Sequence, residues 1–286
     1  MKYHYERRDL MFSGWSDEQY AYFDERAQAL VTRCAVCHGE GLVDIYVPLL
    51  DKTSKGPCKL CSRNIECLKW VTHYFFPNVG RNYRQFRLPM RAYTGSTVPI
   101  PVQKTVFKMA DEAASSGKGI FLLGPSGTGK TALLSAHYLH DLVTIIESYV
   151  DHHKTGLSSL PIFKLTAKKA IDENIDFKRN EPQYNADGEI VRKGAAVPTV
   201  SADKIKDLSN QGHTVIWYLD ELDKTKISET GFSYLFDAVR ELEEQRGRLS
   251  CGTNETWEVL QARFGDEFMN RIRRMTVVID LFKMLK

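Results

Sequence analysis

From Gly124 to Thr131 the chain reads Gly-Pro-Ser-Gly-Thr-Gly-Lys-Thr, and this string constrains the fold more than any other in the sequence. The apolar run Gly119-Ile-Phe-Leu-Leu123 before it reads as a buried strand, and a helix is expected from Lys130. Strand, glycine loop and helix start, in that order, make a cradle for phosphate. Gly127 and Gly129 let backbone N–H groups turn inward, and the positive end of the helix faces the same point. Gly124, Pro125, Ser126, Gly127, Thr128 and Gly129 are therefore the candidate phosphate-binding loop of a nucleotide site. Lys130 would reach the β- and γ-phosphates, and Thr131 would ligate Mg²⁺.

Hydrolysis at such a site needs a second carboxylate for the metal and a group to activate water, both at the end of a neighbouring buried strand. Val215-Ile-Trp-Tyr-Leu-Asp220-Glu221 fits: Asp220 would hold Mg²⁺ through its water shell and Glu221 would act as general base. After a helical segment over 232–245, Arg248-Leu-Ser-Cys-Gly-Thr-Asn254 reads as another strand with a polar end. Asn254 is placed to report on the γ-phosphate, the other reading being a loop-capping asparagine. No Asn-Lys-x-Asp string for guanine occurs, so ATP is the expected nucleotide. An amphipathic helix on Val102, Val106, Met109 and Ala113, and an apolar segment over 160–166, complete an alternation of strands and helices that predicts a parallel α/β sheet. The polar stretch 172–200 reads as an exposed loop.

Cys34, Cys37, Cys58 and Cys61 form two Cys-x-x-Cys pairs, the spacing of a structural zinc site in which four thiolates close a tetrahedron. Turn residues around them, Cys37-His-Gly-Glu-Gly41 and Gly56-Pro57, suit metal knuckles. Cys67 and His38 are alternative ligands, and Cys251 reads as a small core residue. Ahead of them, Ser16-Asp-Glu-Gln19 is a capping box opening a helix that carries Tyr20, Phe23, Ala27, Leu30 and Val31 on one stripe.

With 39 Lys+Arg against 36 Asp+Glu in 286 residues, a nucleic-acid surface has to come from local clustering. Residues 67–110 hold Lys69, Arg81, Arg84, Arg87, Arg91, Lys104 and Lys108 with no Asp or Glu, interleaved with Trp70, Tyr74, Phe75, Phe76, Tyr83 and Phe86. Such a tract would track a single-stranded backbone and stack bases; equally, its aromatics would be core and its arginines solvated. Extended, proline-rich sequence at 93–101 divides an amino-terminal part, 1–92, from a nucleotide-binding part, 102–286. No run approaches a membrane span or a signal peptide, so the expected location is cytoplasmic.

Taken in order, Gly119–Asn254 resembles an AAA+ ATPase core. Leu219-Asp-Glu-Leu, Tyr234-Leu-Phe-Asp-Ala-Val-Arg-Glu-Leu, Gly252-Thr-Asn254 and Phe264-Gly-Asp-Glu-Phe-Met-Asn-Arg271-Ile are similar to the DnaC/DnaI-type replicative helicase loaders and the related IstB-type transposition ATPases. The resemblance implies an ATP-dependent oligomer on DNA with a replicative helicase or a transposase as partner. It also implies an arginine that completes the neighbouring subunit's site, Arg271 by position, with Arg263, Arg273 and Arg274 as competitors. A nucleotide-switched scaffold with little hydrolysis is a third reading. Only 32 residues follow Asn254, so the expected core has no sizeable carboxy-terminal lid and no assigned second sensor arginine. The zinc-binding segment ahead of the core also resembles the DnaI layout.

Overall fold

The computed structural model describes residues 15–47, 52–85, 97–151, 160–180, 183–184, 190–192, 198–224 and 228–286. Arg87, Arg91, Phe86 and residues 93–96 of the expected linker lie outside them. The chain divides into two compact units, Met1–Arg84 with Asp141–Ser158, and Gln85–His140 with Ser159–Lys286.

In the first unit, helix α1 (Asp17–Thr32) opens with the expected capping box: Ser16 Oγ accepts from Gln19 N, and Ser16 N donates to Gln19 Oε1. Phe23, Ala27 and Val31 form its buried stripe, with Trp15 packed edge-on to Phe23. An antiparallel hairpin, β1 (Leu42–Val47) and β2 (Lys52–Pro57), precedes helix α2 (Lys59–Asn78). Leu42 pairs with Pro57, and Cys58 N donates to Gly41 O at 2.9 Å, so the hairpin brings together cysteine pairs that stand 20 residues apart in sequence.

The second unit runs α3 (Ile100–Ser115), β3 (Gly119–Leu123), α4 (Lys130–Asp151, its last residues in the first unit), β4 (Ile162–Thr166) and α5 (Ala167–Arg179). A short antiparallel pair, β5 (Gln183–Tyr184) and β6 (Ile190–Arg192), leads to α6 (Ala202–Asn210), β7 (Ile216–Asp220), α7 (Glu229–Glu244) and β8 (Arg248–Thr253). The chain continues through α8 (Trp257–Phe264), α9 (Asp266–Met275), β9 (Thr276–Asp280) and α10 (Leu281–Met284). Five strands form one parallel sheet in the order β4-β7-β8-β3-β9. β3 is wholly buried and β7 buried except at Asp220, as expected where helices cover both faces of a parallel sheet.

Two local expectations change. Ile100-Pro101 opens α3 and does not belong to an extended linker, proline being suited to a first helical turn. Asp172–Arg179 lies in α5 and not in a loop; Ala167, Ala170 and Ile171 anchor that helix, a buried stripe too short to show against its polar face. The residues after Asn254 add β9 to the open side of β3, and no lid bundle stands among the described residues there.

Candidate functional site

In a parallel sheet, loops at the carboxyl ends of adjacent strands converge. β7, β8 and β3 are neighbours, so Glu221, Asn254 and Gly124, each one residue past its strand, emerge at one edge. Gly124 N donates to Thr253 O at 3.3 Å and ties two of these ends together. The fold is thus of the expected α/β class, a parallel-sheet core in which β8 separates the glycine-loop strand from the Asp-Glu strand.

The loop itself turns at Gly127 (φ 80°) and Gly129 (φ 89°), left-handed backbone that a Cβ would strain. Lys130 folds back over the loop: its Nζ donates to Gly124 O and Pro125 O, each at 2.7 Å, and to Asn254 Oδ1 at 2.9 Å. Thr128 Oγ1 closes the turn on Pro125 O at 2.9 Å. Thr131 stands in the first turn of α4, where its carbonyl accepts from Ser135 Oγ at 2.7 Å. An apolar cleft lined by Val98, Val106, Phe107, Leu122, Leu133 and Leu281 opens beside Thr128-Gly129-Lys130, and no sequence motif announced it.

Asp220 ends β7 with its Oδ1 accepting from Glu221 N at 2.9 Å. Glu221 has φ 57°, a conformation that costs a residue with a side chain about 1–3 kcal/mol and occurs mostly where surrounding structure demands it. A Cβ on Gly252 would lie 3.1 Å from Asp220 Oδ1 and 2.8 Å from Leu134 Cδ1, so a side chain there would crowd both. Two further charged side chains escaped sequence reasoning. Lys164 on β4 is half-buried, and desolvation pushes its ammonium down to about 8 against the opposing pull of Asp220; its Nζ donates to Ser135 Oγ at 3.2 Å. Asp223 accepts from Asn254 N at 3.1 Å and from Asn254 Nδ2 at 3.0 Å. Burial would raise its carboxyl, but the hydrogen bonds from Asn254 and Thr253 outweigh that and hold it below its ordinary value.

Cys34, Cys37, Cys58 and Cys61 are all buried, with sulfurs within 4.8 Å of one another. The Cys34–Cys58 and Cys37–Cys61 sulfur separations are 3.8 and 3.5 Å. Thiolates at about 2.3 Å from a tetrahedral zinc stand about 3.8 Å apart, close to the two separations seen here. Backbone amides of Cys37 and Val36 lower the Cys34 thiol, while burial and the neighbouring sulfurs raise Cys61. Four sulfurs sharing one place can all ionise when a cation neutralises them. Cys67 is buried on α2 outside this cluster, and His38 is not part of it either.

Among the described cations of the basic tract, Lys69 and Arg84 are engaged in structure. Lys69 is buried and pairs with Glu66. Arg84 lies over the Phe76 ring, donates to Val79 O and Phe76 O, and pairs with Glu18. Phe75 and Phe76 are core, and Trp70 stacks on Tyr74 while donating to Glu66. Arg81 is exposed, 3.4 Å from Glu18. Of the arginine candidates, Arg271 is held by Glu243 at 2.7 Å and Glu267 at 3.0 Å, and Arg274 also pairs with Glu243. Arg263 donates to Asp223 O at 2.9 Å. Arg273 on α9 is exposed, and no ion pair or hydrogen bond of its side chain is seen among the described residues.

Comparison with protein-family models and with curated proteins finds no match. Among solved structures, AMPPCP-bound DnaA from Aquifex aeolicus is similar at 15% identity and a TM-score of 0.42, over 71% of this chain and 50% of that one. The DnaC helicase loader is similar at 13% identity and a TM-score of 0.44, over 70% of this chain and 99% of that one. DnaI is similar at 14% identity and a TM-score of 0.39, over 71% and 90%. The chain spans about half the length of the DnaA structure it matches. No helix among the described residues is long and apolar enough to cross a membrane.

Proposed function

We propose that this chain binds and hydrolyses MgATP at the edge where β3, β7 and β8 end, and that it assembles as an oligomer that delivers a replicative helicase to DNA. The observation that carries the reading is the convergence of Lys130, the Asp220-Glu221 pair and Asn254 from three adjacent strand ends. ATP would lie with its phosphates in 124–131 and its base in the apolar cleft. Lys130 would exchange its bonds to Gly124 O and Pro125 O for phosphate oxygens. Thr131 and Asp220 would hold Mg²⁺, which neutralises charge on the transferred phosphoryl group, and Glu221 would take a proton from the attacking water. Cys34, Cys37, Cys58 and Cys61 would hold a structural zinc.

In this reading a neighbouring subunit supplies an arginine from α9. Arg271 holds the position implied by the resemblance, but Glu243 and Glu267 engage it within its own chain. Arg273, exposed on the same helix, reaches outward at no such cost. The helicase and DNA partnership rests on the motif resemblance. It is tested by mixing the purified chain with a hexameric replicative helicase, ATP and circular single-stranded DNA. ATP-dependent transfer of the helicase onto the circle supports the reading, and transfer unaffected by the chain contradicts it.

A further inference from the structure

Lys164 belongs to no motif, yet it is tied to both residues that would hold Mg²⁺. β4 and β7 run parallel in the register Lys164–Tyr218 and Thr166–Asp220, so these four side chains project from one face of the sheet. α4 covers that face. Tyr138 meets Tyr218 edge-on with ring centres 5.2 Å apart, and the Lys164 ammonium lies 5.8 Å from the centre of the Tyr138 ring. From there Lys164 Nζ donates to Ser135 Oγ at 3.2 Å, and Ser135 Oγ donates to Thr131 O at 2.7 Å. Two hydrogen bonds thus lead from the ammonium to the first turn of α4, where Thr131 stands. Across the sheet, the Asp220 carboxylate favours the charged form of Lys164 against desolvation.

Desolvation works against an ammonium at this place, and a methionine of similar length would avoid that cost. What the lysine adds is charge. Thr131 and Asp220 offer the hard oxygen donors that Mg²⁺ takes, so Lys164 and a metal held there draw on the same carboxylate. With strands about 4.8 Å apart and about 3.3 Å of rise per residue, the Cα atoms of Lys164 and Asp220 stand about 8 Å apart. A unit charge at that range shifts a binding equilibrium by about tenfold at an intermediate protein dielectric. It favours a free nucleotide over its Mg²⁺ complex, which carries two fewer negative charges. We propose that Lys164 is the counter-charge of the metal site, loosening its hold on Mg²⁺ and keeping it able to bind nucleotide when metal is absent. This rests on the MgATP reading above.

The test is the affinity of the full chain for a non-hydrolysable ATP analogue, measured in excess Mg²⁺ and again in chelator. The ratio of the two dissociation constants, chelator over Mg²⁺, reports how far metal supports nucleotide, and pairing of metal with analogue in solution contributes equally for every chain. Lys164→Met should raise this ratio about tenfold, chiefly through weaker binding in chelator. Lys164→Gln, which keeps a donor for Ser135 without the charge, should raise it as much. Two affinities that fall together, leaving the ratio of Lys164→Met at the wild-type value, are the mark of a merely structural lysine and overturn the proposal. A wild-type ratio in Lys164→Gln also overturns it, since the hydrogen bond and not the charge would then be what matters. If Lys164→Met does not fold, Lys164→Gln decides alone. A wild-type chain that binds the analogue under neither condition sinks the MgATP reading and this proposal together; wild-type binding with an unmoved ratio in the variants sinks this proposal alone.

Discussion

Removing the metal expected at Cys34, Cys37, Cys58 and Cys61 should unfold residues 34–61, and the packing around the sulfurs says by how wide a margin. Apart from the cysteines, that cluster contains buried Val31 and the partly buried Val43 and Ile65. Burying one such side chain contributes about 1.5–3 kcal/mol, so these three supply about 9 kcal/mol at most. Ordering the backbone from Cys34 to Cys61 costs on the order of 30 kcal/mol. A structural zinc contributes about 10–16 kcal/mol, comparable to or above the total stability of a typical domain, so the hairpin's pairing and α1–α2 packing cannot substitute for it. The assay is elemental analysis of protein purified without chelator, then hydrogen exchange before and after chelation. About one zinc per chain is expected, with protection lost over 42–57 on its removal and retained over β3, β7 and β8. Absence of zinc, or a hairpin as protected without zinc as with it, would refute the reasoning.

Two further perturbations concern α7 and α9. Arg273→Ala should leave ATP binding intact and lower hydrolysis by about 10³-fold, with partial recovery on mixing with Lys130→Ala chains, whereas Arg271→Ala should chiefly lower the melting temperature. The converse pattern would return the trans role to Arg271. Glu243, held below its ordinary value of 4.5 by hydrogen bonds from Arg274 and then Arg271, adds stability that is present above that value and lost as pH falls through the lower folded one. Glu243→Gln should therefore cost about 1–3 kcal/mol in denaturant unfolding at neutral pH and much less in strong acid, and a pH-independent cost would contradict the ion-pair account.

What could be read from the sequence follows from where the chemistry is written. Gly124–Thr131 and Asp220-Glu221 are contiguous because a phosphate cradle is built from consecutive amides and a strand delivers its last residues together. The cysteine pairs carry their own geometry in their spacing. The Lys130–Asn254–Asp223 chain draws on three segments that only the strand order brings together, so no local pattern announced Asp223. In the basic tract, the acids that pair with Arg84 and Lys69 are Glu18, far away in sequence, and Glu66, one residue before the tract begins. Arg271 likewise gave no sign of Glu243, 28 residues upstream on α7.

The central claim is that the edge formed by β3, β7 and β8 hydrolyses ATP with Glu221 as base, and the direct measurement is nucleotide binding and turnover by three purified chains side by side. Wild type should bind and hydrolyse ATP. Lys130→Ala should lose productive binding, and Glu221→Gln should retain ATP while turning over about 10²–10⁴-fold more slowly. Wild-type turnover by Glu221→Gln, or undiminished ATP binding by Lys130→Ala, would contradict the account.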